Sequence, residues 1–127
     1  MLEQLSPESK ARRLFWLTPT PTPDTTGPPA PTPLEPDNEA QLDCTDTVTL
    51  VWQTVNDPSG VSGYWGKLEQ QVDEEVWQTK GWGPVSGDRH IVNVDCGGIY
   101  RWRVWAEDNA GNTGAWSALA YFSIELP

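Results

Sequence analysis

Side chains able to do covalent or metal chemistry are few in this sequence. His90 is the one histidine, and no second histidine or free-cysteine cluster completes a zinc site or a nucleophilic triad around it. It reads as a structural residue. Asp73, Glu74 and Glu75 bring carboxyl groups together as glycoside hydrolysis would require, but they are adjacent at an expected hairpin tip and lack the burial that would raise one pKa. A solvated turn accounts for them. Asp57, Glu107, Asp108, Asn109 and Asn112 are oxygen ligands on two loops expected at one end of the molecule, and such a gathering suits calcium. A full calcium-loop spacing is missing, and Asx turns explain the same residues. Calcium at Asp57, Asp108 and Asn112 is therefore the minor reading; no metal, cofactor or catalytic residue is assigned, and the chain does not read as an enzyme.

Aromatic chemistry is plentiful instead, with eight Trp in 127 residues. Trp65, Trp77, Trp82 and Trp105 are expected to share an outward face with Lys67, Arg101 and Arg103, where a cation stacked on an indole ring contributes about 0.5 to 1 kcal/mol. Such a face is a structural ladder, a contact surface for another protein, or a row of rings for sugars. The three readings stay open at this level.

The element that must position these groups is the stretch Ile99 to Trp116. Tyr100, Trp102, Val104 and Ala106 fall on one side of an extended strand, with Arg101, Arg103 and Trp105 on the other. Glu107 to Asn112 supplies turn formers that let the chain reverse. Ala120, Phe122, Ile124 and Leu126 then alternate with Tyr121, Ser123 and Glu125 in a returning strand, so the C-terminus is an expected hairpin. Upstream, strands are expected at Pro31–Glu35 (a proline-broken edge), Thr47–Trp52, Gly63–Leu68, Glu75–Thr79 and Arg89–Val94, with a turn at Asp57–Gly60. About seven strands with no persistent helical period make an antiparallel sandwich the economical fold.

Eight of the twelve prolines lie between Pro19 and Pro36, and this shift in composition divides the chain into residues 1–17, 18–27 and 28–127. Thr18 to Pro23, Thr-Pro three times over, predicts a stiff polyproline II linker rising about 3.1 Å per residue. Such repeats also read as O-glycosylated stalks, which makes Thr18, Thr20, Thr22, Thr25, Thr26 and Thr32 candidate acceptors. Ahead of the linker, Ser6-Pro7 is a helix-start signal, and Leu14, Phe15, Trp16 and Leu17 form an apolar cluster that wants a surface to cover. That cluster is shorter than a signal h-region of about 7 to 15 residues, and no apolar run reaches the roughly 18 to 20 needed to cross a bilayer. The net charge of −10 argues against nucleic acid, which needs a basic face. Lys10, Arg12 and Arg13 against Glu3 and Glu8 leave residues 1–23 at +1 and the remainder at −11.

Several of these features together resemble a fibronectin type III domain of the kind common in bacterial surface proteins. They are Pro31-x-x-x-x-Pro36, Val48-x-Leu50-x-Trp52, Asp57-Pro58-Ser59-Gly60-Val61-x-x-Tyr64, Tyr100-x-Trp102-x-Val104-x-Ala106-x-Asp108, and Gly111-Asn112 with Trp116-Ser117. The resemblance spans roughly residues 28–127 and implies a seven-stranded immunoglobulin-like sandwich with Trp52 and Tyr100 in its core. Cys44 and Cys96 depart from the family's usual cysteine-free pattern. If the Val48 and Val92 strands pair antiparallel, the start of one lies beside the end of the other, and a Cys44–Cys96 disulfide follows, pointing to an oxidising compartment.

Two functional classes remain. In one, the chain is a structural subunit of an extracellular fibre or surface assembly, the Leu14–Leu17 cluster docking on a neighbouring copy's sandwich; its partners are copies of itself. In the other, it is an adhesive or carbohydrate-binding module of a larger cell-surface protein.

Overall fold

The computed structural model describes residues 23–127. Leu14, Phe15, Trp16 and Leu17, with Thr18, Thr20 and Thr22, lie outside them. Eight strands follow in order: β1 (Thr32–Glu35), β2 (Ala40–Leu42), β3 (Thr47–Gln53), β4 (Val61–Asp73), β5 (Val76–Val85), β6 (Arg89–Asn93), β7 (Ile99–Asp108) and β8 (Ala120–Ile124). They form a three-stranded sheet, β1-β3-β6, and a five-stranded sheet, β2-β8-β7-β4-β5. The inner faces of the two sheets share one buried cluster. The immunoglobulin-like sandwich expected from the sequence is the fold found.

Period-two alternation builds this core, because successive side chains of a strand point to opposite faces. Val48, Leu50 and Trp52 of β3 turn inward, as do Tyr100, Trp102, Val104 and Ala106 of β7 and Ala120, Phe122 and Ile124 of β8. Trp52 and Trp102 are 1% and 0% exposed, with ring centres 6.4 Å apart. Burying about 200 Å² of each is a gross gain of roughly 5 kcal/mol. The Trp52 indole N–H has no hydrogen-bond partner among the described residues, but three other buried rings place their polar ends. Trp102 Nε1 donates to the Pro36 carbonyl at 2.9 Å, and the Tyr64 and Tyr100 hydroxyls accept the amides of Val55 (3.1 Å) and Asp95 (2.7 Å).

Three details depart from the sequence reading. The strand count is eight, and one pairing is parallel: Ala40, Gln41 and Leu42 lie beside Phe122, Ser123 and Ile124. The added strand is β2, which the chain reaches by leaving the first sheet at Pro36. Asn38 and Glu39 both adopt left-handed backbone, φ 57° and 58°, and this turn carries the chain across to β8. The β4–β5 hairpin also runs longer than expected. Its polar stretch Glu69-Gln70-Gln71 has little strand propensity, yet it is held by cross-strand partners Thr79, Gln78 and Trp77.

Before β1, the end of the proline-rich segment rests on the loop after β7. Asn112 Nδ2 donates to the Asp24 carbonyl at 2.9 Å, and Pro28 is buried. A Cβ at Gly27 would fall 2.3 Å from the Thr113 carbonyl oxygen, so only glycine permits this approach. Residues 24–28 thus form a short strap laid against the sandwich.

Candidate functional site

The strap ends where two loops meet. Asp57 opens the turn before β4, with Gly60 N donating to the Asp57 carbonyl at 2.9 Å and Gly60 at φ 85°. Asn109 N and Nδ2 tie the loop after β7 to it through Gly60 O and Ser59 O, at 2.9 and 2.8 Å. The expected co-location of Asp57, Asp108 and Asn112 is therefore observed, and Asp24 joins them. One carboxylate oxygen each from Asp24, Asp57 and Asp108 lie within 4.8 Å of one another.

Most of these oxygens already have donors. Asp108, 1% exposed, accepts the Ala110 and Asn112 amides at Oδ1 (3.0 and 2.7 Å) and Asn112 Nδ2 at Oδ2 (3.0 Å). Asp57 Oδ2 accepts the Ser59 amide at 3.0 Å and the Ser59 hydroxyl at 2.8 Å. Asp24 Oδ1 accepts the Thr26 amide and hydroxyl, both at 3.1 Å. The Ser59 hydroxyl has one proton to give; given to Asp57, it leaves the shielded Oδ2 of Asp24 without a donor. When that proton turns to Asp24 instead, the Ser59 hydroxyl and then the Thr26 amide hold the Asp24 carboxyl down to about 2, so it is charged at neutral pH. Chemically, the three carboxylates are a set of hard oxygen ligands of the kind calcium takes, and the Asx-turn bonds that explain them in its absence are equally in place.

The outward face of the five-stranded sheet carries the aromatic ladder. Register places Trp65 opposite Trp105, Lys67 opposite Arg103 and Glu69 opposite Arg101, and Arg101 in turn opposite Tyr121. Trp105 packs on Trp116 at 4.1 Å and on Trp65 at 6.1 Å. The Arg103 guanidinium sits 4.0 Å and the Lys67 ammonium 5.3 Å from the centre of the Trp116 ring. The Arg101 guanidinium lies 4.1 Å from the Trp77 ring and pairs with Glu69. Desolvation pushes the Glu69 carboxyl up, but the Thr79 hydroxyl and Arg101 outweigh it, and its pKa is lowered. Ions and rings alternate along this face, so most of its charge is partnered.

Trp82 does not belong to that face. It lies opposite Gly66, on the inward side of β4, and stacks on Trp52 at 5.4 Å and on His90 at 4.7 Å. Trp77 and Trp82 are five residues apart in one strand, and an odd spacing puts them on opposite faces. His90 is accordingly a packing partner of Trp82, and desolvation lowers its pKa. Asp73, Glu74 and Glu75 sit at the exposed β4–β5 tip, with Glu75 at φ 57°. Cys44 and Cys96 are bonded, their Cα atoms 4.9 Å apart, and the antiparallel Val48–Val92 pairing brings them together. Thr25, Thr26 and Thr32 are exposed.

Asp24, Glu69, Trp116, Ser117 and Tyr121 have roles that reading the sequence missed. Ser117, 6% exposed, accepts the Val104 amide at its hydroxyl (3.0 Å) and returns its own amide to the Val104 carbonyl (2.8 Å). This stitches the chain to β7 before β8 begins. For Tyr121 a signal existed, since its parity in β8 sets it on the face of Arg101.

The face changes character at the start of β7. Ile99 is 49% and Tyr121 37% exposed, and Trp77 meets Tyr121 edge-on at 6.3 Å. With Glu39, Gln41 and Gln71 they line a groove of about 410 Å³, within the roughly 300 to 1,000 Å³ range of binding clefts.

No protein-family model and no curated protein matches the sequence. Among solved structures, the chain is similar to a fibronectin type III domain of human fibronectin type III domain containing protein 3, at 18% identity and TM-score 0.56, covering 82% of this chain and 92% of that one. It is similar to the fourth fibronectin type III domain of a human protein at 16% identity and TM-score 0.54, covering 92% and 93%. It also matches a myokine at 14% identity and TM-score 0.54, covering 80% and 99%. At these identities the likeness concerns architecture, and the described chain has a fibronectin type III-like fold.

Proposed function

We propose that this chain is a structural subunit of an extracellular or surface assembly, associating head to tail as the N-terminal tail of one copy docks on the sandwich of the next. The observation that carries this reading is an exposed apolar end on a sandwich that is already complete. Ile99 (49%) and Tyr121 (37%) are exposed beside Trp77 on the outward face at one end of the five-stranded sheet, while the sequence supplies an apolar tetrapeptide, Leu14–Leu17, on a proline-rich linker. A contact between unlike surfaces does not close on itself and so propagates. The disulfide supports an oxidising, extracellular setting, and exposed Thr25 and Thr32 are accessible to glycosylation there. Deleting residues 1–17 tests the proposal: light scattering and electron microscopy are expected to show loss of polymer with an unchanged monomer fold. Polymer that survives the deletion, or full-length protein that never assembles, overturns it.

A second reading draws on Trp77 and Tyr121, whose rings and polar neighbours Glu39, Gln41 and Gln71 have the mixed character that a sugar-binding groove uses. Glycan-array binding that persists without residues 1–17 would favour this adhesive module over the fibre.

A further inference from the structure

We propose that the dock is the groove between Trp77, Ile99 and Tyr121, and that its occupant is the segment Leu14–Leu17 of a second copy; this deepens, and rests on, the head-to-tail reading above. Along most of the outward face, cations and rings cover one another, from Trp116, 36% exposed under Arg103, to Trp77 under Arg101. At the start of β7 that cover ends, and the groove opens with Ile99 half exposed.

Charge agrees with this occupant. Glu39 stands on the groove's lip, and Asp73, Glu74 and Glu75 stand on the tip of the hairpin that supplies Trp77. In the tail, Arg12 and Arg13 immediately precede Leu14, with Lys10 close by. Seating the apolar residues would bring the basic ones over an acidic rim. Such rim charges set register and encounter rate more than affinity.

Chain length favours a second copy over the chain's own tail. The described chain enters at the Asp24–Asp108 end of the sandwich, whereas the groove lies at Ile99, the other end of β7. Nine residue steps of strand separate the two, about 30 Å. From Asp24 back to Leu17 is seven steps, at most about 25 Å fully extended. Leu17 therefore falls short of its own groove, and at the polyproline rise of about 3.1 Å per residue Trp16 and Phe15, eight and nine steps back, also stop at about 25 and 28 Å. Only a fully stretched tail would reach, a constraint a second copy does not carry.

The test uses two full-length variants that fail for different reasons. Ile99→Asp keeps the tail and spoils the groove; Phe15→Ser with Trp16→Ser keeps the groove and spoils the tail. Each alone is expected to be monomeric by sedimentation velocity, with affinity lowered about 30-fold or more on the scale of interface hot spots. Mixed in equal amounts, they are expected to give one-to-one dimers and nothing longer, since one intact tail meets one intact groove. If Ile99→Asp still polymerises while the tail variant does not, the dock lies elsewhere and the head-to-tail reading survives. If the tail variant polymerises, or the unmodified protein stays monomeric, both fall. Should Ile99→Asp not fold, Gln71→Trp blocks the same groove by added bulk at a partly exposed position and must give the same mixing result.

Discussion

Replacing Gly66 by alanine puts one methyl group into the tightest approach between β4 and β5. A Cβ there would lie 2.1 Å from Trp82 Cζ2, 2.4 Å from Cε2 and 2.7 Å from Cη2. Carbon atoms prefer about 3.5 to 4.0 Å, so the indole must retreat by roughly 1.5 Å. It has no inward room, because Trp52, 1% exposed, stacks on it from the core at 5.4 Å. Outward movement breaks that stack and the one on His90. Overpacking costs about 1 to 3 kcal/mol and a lost aromatic pair about 0.5 to 1.5, so Gly66→Ala should lose roughly 2 to 4 kcal/mol. That is a large share of the approximately 5 to 15 kcal/mol that holds an ordinary domain folded. Urea unfolding measures it, and a double-mutant cycle with Trp82→Ala assigns it. With the indole gone, the added methyl should cost under about 0.5 kcal/mol, within the range of strand propensity differences. A Gly66→Ala protein that keeps its stability, or a substitution that costs the same with and without Trp82, would contradict this packing account.

Two further outcomes follow from the described geometry. Replacing both Cys44 and Cys96 by alanine frees a loop with a sequence separation of 52, which in the chain-entropy model lowers stability by about 4 kcal/mol; an unchanged urea midpoint would contradict it. The Asp24 carboxyl, normally at 3.8, is held at about 2, chiefly by the Ser59 hydroxyl and next by the Thr26 amide. A depressed carboxyl contributes stability above its unfolded value and loses it as pH falls through its folded one. Amide-exchange protection of the residue 24–28 strap should therefore decline between about pH 4 and pH 2, and Asp24→Asn should remove that dependence. A strap whose protection is indifferent to pH, or to the substitution, would count against it.

The core was legible because alternation is a direct statement about faces. Tyr100, Trp102, Val104 and Ala106 needed no partner to declare which way they point, and the cysteines then followed from the pairing of β3 with β6. The β2 strand was not legible, since three residues carry no period and their pairing depends on left-handed backbone at Asn38 and Glu39. Trp82 was misplaced by treating outward aromatics as a class, where its parity against Trp77 would have separated them. At the loop end, Asp57 and Asp108 were brought together on paper by the hairpin logic of the sandwich. Asp24 was invisible, because its place depends on a proline-rich strap folding back, and on Gly27 having no side chain to prevent it.

The parallel seam between β2 and β8 has a mechanical meaning. Three residue pairs run side by side there, flanked by bonds from Glu39 N to Tyr121 O and from Glu125 N to Leu42 O, at 2.9 and 2.8 Å. Tension applied between the two termini pulls neighbouring, like-directed strands in opposite senses, so these bonds are loaded together in shear and do not unzip one by one. Behind the seam, the Cys44–Cys96 bond withholds a 52-residue span, roughly 180 Å of contour at full extension. A pulled chain would yield abruptly and then stop short, its length restored only by a reductant.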